Sequence, residues 1–341
     1  LHAPLGDAAD GLRRLAGGDT PHEAAVTSRR AAGPEVAAEV DRLPTEGVRP
    51  GSEHLDTLPT GALVARLLEG QAAAPAAVGR SAEPLARAAD AVGAAIRGGG
   101  RLVYTGAGTS GRLAMQDAAE LPPTFGIDPA RAVALLAGGA GAAGAAVEGA
   151  EDDDAAGRAD VAAAGVGPDD VVVGVAASGR TPYVLGALAA ARERGAVTVA
   201  VVNALGSPVA ALADIPIELA TGPEVLSGST RLAAGTAQKI ALNTLTTAAM
   251  VRAGATYGPW MVGVRGTNEK LRRRAERIVQ DAAGVDVTTA RAALAAADGE
   301  VATALVALLA GVDGSEARRR LASAGSVRAA VAGAGVGQVP A

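Results

Sequence analysis

The sequence predicts an α/β fold in which helices cover both faces of a parallel sheet, forming a three-layer sandwich. Five short β-branched runs alternate with helical segments or Gly-rich turns. The chain is 49% hydrophobic but only 1% aromatic, so small side chains at close backbone approach must build its core. Ligands of such a sheet are expected beyond the carboxyl ends of its strands. The predicted strands are residues 101–105, 132–136, 171–177, 197–202 and 215–219.

Composition divides the 341-residue chain into three regions. Residues 1–44 mix Gly, Pro and Arg with short apolar patches, which predicts a poorly ordered or short helical extension. Residues 45–286 hold the strands and end in two long predicted helices, at about residues 229–253 and 267–283. The composition then shifts, and residues 287–335 predict a small C-terminal helical domain.

Several classes of function are disfavoured by composition. The chain contains no cysteine, which excludes disulfides, thiolate catalysis and Cys-bound zinc, and its three histidines all lie within the first 54 residues. We therefore expect neither a metal nor another cofactor. The net charge of −5 is scattered and aromatic residues are few, so nucleic-acid binding is not expected. The longest apolar run is too short for a membrane span and the start does not resemble a signal peptide, so we predict a cytoplasmic protein without membrane association.

Two turns rich in glycine and hydroxyl groups each follow a predicted strand and lead into a predicted helix. The first is residues 106–112 (GAGTSGR), and the second is residues 177–182 (ASGRTP). Glycines let the backbone approach an anion, and hydroxyls add donors beside free amides. The first turn matches neither the dinucleotide fingerprint nor the Walker pattern, and alone it could be a plain strand-to-helix turn. Because both turns end parallel strands, we predict that they converge on one phosphate or sugar.

A third cluster, residues 224–231 (EVLSGSTR), precedes a long predicted helix. We expect Ser229 or Thr230 to cap that helix. Lys239 lies two turns further on, where it is either a solvated lysine or one that reaches an anion. Ligand binding by this cluster is not decided by its residues alone.

Two glutamates lie in contexts that suggest chemistry, although each has a simpler interpretation. Glu120 is expected to end a short helix before residues 121–123 (LPP), which would hold it rigidly. Glu151 opens the acidic run 151–154, and such runs are usually solvated faces or helix starts. Glu148 would share a helical face with Glu151 and is its main competitor.

Six motifs along the chain form an ordered set: residues 106–112, 117–123, 147–152, 176–183, 228–239 and 267–271. Taken in order, they resemble the N-acetylmuramic acid 6-phosphate etherases, a family with one sugar isomerase-type (SIS) phosphosugar-binding domain. The resemblance runs from about residue 45 to residue 284. Two departures affect the pocket: Ala233 stands where many members carry lysine, and residues 45–50 lack the usual Arg-Asn pair.

This resemblance implies cleavage of the D-lactyl ether at C3 of N-acetylmuramate 6-phosphate, as part of cell-wall amino-sugar recycling. The products are N-acetylglucosamine 6-phosphate and D-lactate. Glu120, expected to be desolvated against prolines, is implied as the acid for the leaving oxygen, and Glu151 as the base. The implied substrate-binding residues are Gly108, Thr109, Ser110, Gly111, Ser178, Gly179, Arg180, Thr181, Ser229, Thr230 and Lys239.

The resemblance also implies a homodimer with its site near the subunit interface. The Ala- and Gly-rich surface of residues 233–249 is the feature expected to pack closely against the partner. Two other functions stay open. A phosphosugar isomerase would use the same domain and similar enol chemistry without a leaving group, and a regulatory sensor would bind a sugar phosphate and a protein partner.

Overall fold

The computed structural model describes residues 45–264 and 268–333. The predicted extension of residues 1–44 therefore lies outside the described residues.

A five-stranded parallel sheet forms the centre of the fold, as predicted. The strands are β1 (Leu102–Gly106), β2 (Ala132–Leu136), β3 (Val171–Ala176), β4 (Val197–Val202) and β5 (Ile215–Glu218). Their spatial order is β2-β1-β3-β4-β5, so β1 lies between β2 and β3. The register places Gly106 of β1 beside Leu136 of β2 and Val175 of β3.

Helices cover the two faces of this sheet because successive strand residues point to opposite sides. The first eight helices of the described residues are α1 (Thr60–Gln71), α2 (Ala73–Arg80), α3 (Ala82–Gly98), α4 (Gly108–Phe125), α5 (Asp154–Ala163), α6 (Pro182–Glu193), α7 (Pro208–Leu212) and α8 (Ala233–Arg252). Leu102 and Tyr104 pack with α3, α4 and α8, whereas Val103 packs with α5, α6 and α7 on the other face.

The backbones of α5 and α6 come into close contact where the two helices cross, as expected of a chain with few aromatic residues. A Cβ on Gly157 would lie 2.0 Å from the carbonyl oxygen of Tyr183, and one on Gly186 would lie 2.0 Å from that of Asp154. Backbone thus meets backbone where the two helices cross. At this crossing, the predicted close backbone approach is observed, while large side chains such as Tyr104 and Leu188 are buried elsewhere in the core.

The small residues of α8 also pack inside the chain. Ala237, Ala241 and Ala249 are fully buried and belong to the core between α8 and the sheet. The Ala-rich surface is therefore used within one subunit. It does not form the outer surface that the sequence analysis assigned to a partner.

A helical region follows the sheet, as predicted, after a short antiparallel hairpin of β6 (Thr256–Tyr257) and β7 (Trp260–Met261). Ile278 and Val279 lie in the helix Glu269–Ala283, which the sequence analysis placed in the domain of residues 45–286, yet they share a core with Val301, Leu305 and the later helices. Among the described residues no single helix is long and apolar enough to cross a membrane. The helices Val287–Ala296 and Val301–Ala310 reach that composition only together, across a bend of 112°. The helices are α9 (Glu269–Ala283), α10 (Val287–Ala296), α11 (Val301–Ala310), α12 (Gly314–Ala324) and α13 (Val327–Ala332).

Candidate active site

The first two motif turns lie side by side at the carboxyl edge of the sheet. They follow β1 and β3, which are paired neighbours. The chain leaves β1 for β2 on one side and then returns to β3 on the other, which makes this edge the topological switch point. Ligands of open parallel sheets bind in the crevice at such a point.

The first turn delivers the chain into α4 with almost no space between strand and helix. A Cβ on Gly111 would lie 2.7 Å from the carbonyl oxygen of Gly106, so this approach requires glycine. The N-cap residue, Ala107, offers no side-chain hydrogen bond to the first amides of α4. Thr109 and Ser110 lie in that first turn, and Ser110 is 8% exposed. The start of α4 therefore combines free amides and hydroxyl groups, the usual elements of an anion site.

The second turn brings Ser178 to the same edge. Gly179 has φ +62°, and a Cβ there would lie 2.1 Å from Oγ of Ser207, so glycine is required again. Oγ of Ser178 accepts a hydrogen bond from the Arg180 amide at 3.3 Å. Thr181 is the N-cap residue of α6 and, like Ser178 and Arg180, is half-buried.

The third cluster does not cap α8 in the predicted way. The helix begins at Ala233 and receives no cap from Ser229 or Thr230, so that prediction was wrong. The carboxylate of Glu224 instead accepts hydrogen bonds from the first amides of the helix. Ser229 and Thr230 are both half-buried.

The third cluster is nevertheless adjacent to the first turn. A Cβ on Gly235 would lie 3.3 Å from the carbonyl oxygen of Thr230 and 3.6 Å from Cγ2 of Thr109. The start of α8 thus lies between the Ser229–Thr230 turn and the first turn of α4. The structure brings these two predicted binding motifs together.

Glu151 lies at a cleft of about 320 Å³ beside the first turn. Arg112 lines the same cleft, and its guanidinium donates to the carbonyl oxygens of Ala142 at 3.0 Å and Ala145 at 3.1 Å. Glu151 is exposed in the short 3-10 helix Ala150–Asp152, and Glu148 lines the same cleft. The acidic run then starts α5, where Asp153 supplies the N-cap.

Glu120 lies elsewhere on the surface of the same chain. It does not end a short helix, since α4 continues through Pro122 and Pro123 to Phe125; that prediction was wrong. Glu120 is also exposed rather than desolvated, and its Oε1 accepts a hydrogen bond from Gln116 at 3.2 Å. At 1.5 Å per residue, the twelve helical steps from Gly108 place it about 18 Å from the cleft-lining end of α4.

One buried carboxylate, Asp117, was missed by the sequence analysis. It is 4% exposed and accepts hydrogen bonds from the Tyr104 hydroxyl at 2.8 Å, Asn243 Nδ2 at 2.5 Å and the Thr246 hydroxyl at 3.2 Å. Burial raises the pKa of Asp117, the charge of nearby Glu120 adds to the rise, and these hydrogen bonds oppose it. Its position one helical turn before Glu120 is the sequence signal that could have identified it.

Lys239 belongs to the same surface region as Glu120. Its ammonium is exposed and donates to Oδ1 of Asn243, whose amide group contacts Asp117. The site residues thus fall into two groups within one chain, one at the sheet edge and one along α4 and α8. Among residues 45–264 and 268–333, no group of three or more His, Asp or Glu could hold a metal ion.

The fold and the paired hydroxyl turns define a SIS-domain protein. The SIS domain model matches residues 153–248, and the model of the glucokinase regulatory protein N-terminal SIS domain matches residues 84–192. A phosphoheptose isomerase from Neisseria gonorrhoeae is 22% identical, with a TM-score of 0.41 over 56% of this chain and 97% of its own.

Relatives that align over nearly their whole length show the family to which this chain belongs. An N-acetylmuramic acid 6-phosphate etherase from Deinococcus radiodurans is 55% identical over 85% of this chain and 95% of its own length. One from Rubrobacter xylanophilus is 53% identical over 85% and 96%, and one from Streptomyces avermitilis 52% over 87% and 96%. The chain belongs to the N-acetylmuramic acid 6-phosphate etherase family.

Proposed function

We propose that this chain cleaves the D-lactyl ether of N-acetylmuramate 6-phosphate, releasing D-lactate and N-acetylglucosamine 6-phosphate. The observation that carries the proposal is the pair of hydroxyl turns on neighbouring strands at the switch point, within a chain 55% identical to an etherase over 85% of its length. The phosphate binds at the free start of α4 and the Ser178 turn, and the Ser229–Thr230 turn contacts the sugar phosphate beside them.

The chemistry needs a base and an acid but no redox step. In the open-chain aldehyde, the C2 proton lies next to a carbonyl and is acidic enough for a general base to remove. The C2–H electrons form the enol, the C3–O bond breaks, and the lactate oxygen takes a proton from an acid. Water then adds across the resulting double bond, with its hydroxyl at C3 and its proton at C2.

Glu120 acts as the acid and Glu151 as the base in this proposal. Glu151 lies at the cleft beside the phosphate site, where it can reach C2 of a bound sugar. Glu120 has Lys239 on the adjoining helix, and both are exposed, so a bound substrate can contact them. Glu148 lines the cleft as well and provides a matched comparison.

We infer that the two glutamates meet only in a homodimer. About 18 Å along α4 separates Glu120 from the cleft end of the helix, which exceeds the span from phosphorus to C3 of a hexose 6-phosphate. One subunit therefore supplies the hydroxyl turns and Glu151, and its partner supplies Glu120. The partner contacts the exposed surface of α4 and α8, since the Ala residues of α8 are already buried.

We assign the reaction to residues 45–286 and place it in the cytoplasm, where a phosphorylated sugar is retained by its charge. Residues 287–335 form the proposed C-terminal helical domain beside that catalytic domain.

The assay of purified protein with N-acetylmuramate 6-phosphate measures D-lactate release. Glu120→Gln and Glu151→Gln should each lower the rate by about 10²–10⁴-fold, the usual contribution of a general acid or base. Glu148→Gln, the matched control, should retain most of the activity. If neither of the first two variants slows lactate release, the mechanism is wrong.

Deuterium exchange separates the two roles and the competing functions. In deuterated water, Glu120→Gln should still exchange the C2 proton of recovered substrate, whereas Glu151→Gln should not. The opposite result would reverse the roles. An isomerase would exchange the proton and release no lactate from any variant, and a sensor such as the glucokinase regulatory protein suggested by the match over residues 84–192 would do neither.

A further inference from the structure

A second buried carboxylate, Glu224, lies at the candidate site but has no role in the proposed chemistry. It is 2% exposed, and both of its oxygens are used. Oε2 accepts a hydrogen bond from the Ala233 amide at 3.0 Å, and Oε1 accepts one from the Ala234 amide at 2.9 Å. These amides open the 20-residue helix α8, whose N-terminal partial positive charge compensates the buried negative charge.

This contact closes the chain between Glu224 and α8 into a compact loop. Within the loop the Ser229 amide donates to the Leu226 carbonyl at 3.0 Å, and the Gly235 amide donates to the Thr230 carbonyl at 2.8 Å. Both ends of the loop are therefore anchored to the start of α8. These hydrogen bonds restrict the movement of the Ser229–Thr230 turn while the Glu224 carboxylate accepts from the α8 amides.

The anchored loop lies near the first motif turn, with Gly235 between them. A Cβ on Gly235 would lie 3.3 Å from the Thr230 carbonyl oxygen and 3.6 Å from Cγ2 of Thr109. A shift of the loop would move Ser229 and Thr230 away from the start of α4. The carboxylate also occupies the amides with which α8 could otherwise bind an anion.

We propose that Glu224 is a positioning residue of the active site. It fills the anion site of α8 with the protein's own carboxylate, which holds the Ser229–Thr230 turn against the first turn and leaves the start of α4 as the place for the phosphate. This inference rests on the proposed function, because it assigns substrate contacts to that turn.

The test compares Glu224→Ala and Glu224→Gln with a matched control, Asp286→Ala. Asp286 also caps a helix through two amides, those of Thr288 and Thr289 at 2.8 and 2.9 Å, but it caps α10 outside the site. Glu224→Ala should raise KM and the Kd for N-acetylglucosamine 6-phosphate about tenfold and change kcat much less, because binding must then reorder a loop that charged hydrogen bonds had held in place. Asp286→Ala should leave KM, kcat and Kd unchanged.

Two further measurements separate positioning from general loss of structure. Acetate should restore part of the affinity of Glu224→Ala, because a small carboxylate can occupy the vacated amides, but it should not help Glu224→Gln, whose amide fills that space. Ser229→Ala should weaken binding in the wild-type background and have little further effect in Glu224→Ala, since residues that act through one another are non-additive.

The outcomes distinguish the inference from the function on which it rests. If Ser229→Ala leaves the Kd unchanged in the wild-type background, the proposed site fails. If Ser229→Ala weakens binding while Glu224→Gln does not, or if the effects of Ser229→Ala and the Glu224 variants simply add, Glu224 is not a positioning residue. Should Glu224→Ala fail to fold, Glu224→Gln alone carries this comparison.

Discussion

A mixture of two inactive variants should regain activity if Glu120 and Glu151 work across a subunit interface. Glu120→Gln homodimers lack the acid in both sites, and Glu151→Gln homodimers lack the base in both. A mixed dimer, in contrast, contains one site in which both glutamates are intact. Random reassociation of equal amounts makes half of the dimers mixed, so activity should approach about one quarter of the wild-type value in a two-fold symmetric dimer.

The experiment requires exchange of subunits and an independent measure of it. The two variants carry different affinity tags and are co-expressed, and tandem purification isolates the mixed dimers before D-lactate is assayed. Purified mixed dimers should then show about half of the wild-type activity, since one of their two symmetric sites is complete. Mixed dimers that are verified by mass spectrometry yet remain as inactive as the parents would refute the separation of about 18 Å as an argument for a shared site.

Three further predictions concern binding and stability. Ser110→Ala or Ser178→Ala should weaken phosphosugar binding by about 1–3 kcal/mol in calorimetry, the range for a hydrogen bond to a charged group. Asp170→Ala should lower the free energy of unfolding in urea by about 3 kcal/mol, because Asp170 is 5% exposed and pairs with Arg101 at 2.6 Å. Asp117→Asn should flatten the dependence of thermal stability on pH above pH 4, because burial raises the pKa of Asp117 in the folded chain.

The two aspartates should respond to pH in opposite directions. Burial alone would raise the pKa of Asp170, but the hydrogen bonds and charge of Arg101 outweigh it and hold the pKa below its ordinary value. The stability that Asp170 contributes is therefore present above the unfolded pKa and lost as pH falls through the folded one. For Asp117, with a raised pKa, the contribution is present at low pH and lost as pH rises through the folded pKa. Identical pH profiles of the two variants would contradict both assignments.

A control is available for the binding prediction as well. Ser315 lies in α12, where its hydroxyl donates to Asp313 at 2.7 Å. Ser315→Ala should leave phosphosugar affinity unchanged. If it weakens binding as much as Ser178→Ala does, the hydroxyl turns are not the phosphate site.

The strands could be predicted from the sequence because each is a short, mostly apolar run. Only β1 and β3 are buried along their whole length, whereas β2 and β5 at the edges of the sheet are partly buried. The end of α4 could not be predicted, because Pro122 and Pro123 normally stop a helix, yet here the helix continues through both to Phe125. The cap of α8 could not be predicted either. Local rules place the cap at the residue directly before the helix, whereas Glu224 caps α8 from a position nine residues before Ala233 in the sequence.

The candidate site could likewise be predicted only in part from the sequence. Its two turns could be located because glycines and hydroxyls directly follow strands, which is a local pattern. The position of Glu120 away from the cleft could not, since it depends on how far α4 continues as one helix. Sequence resemblance names both glutamates without saying whether one subunit can bring them together.

The core shared by α9 and the C-terminal helices affects how this protein could be shortened. The compositional boundary at residue 286 runs between α9 and α10, yet Ile278 and Val279 of α9 are buried against the helices beyond it. A chain ending at residue 286 would expose that apolar stripe to water, where it would favour association between molecules. An expressed fragment should therefore retain every helix through Ala332, because Val262, which precedes α9, is buried in the same core.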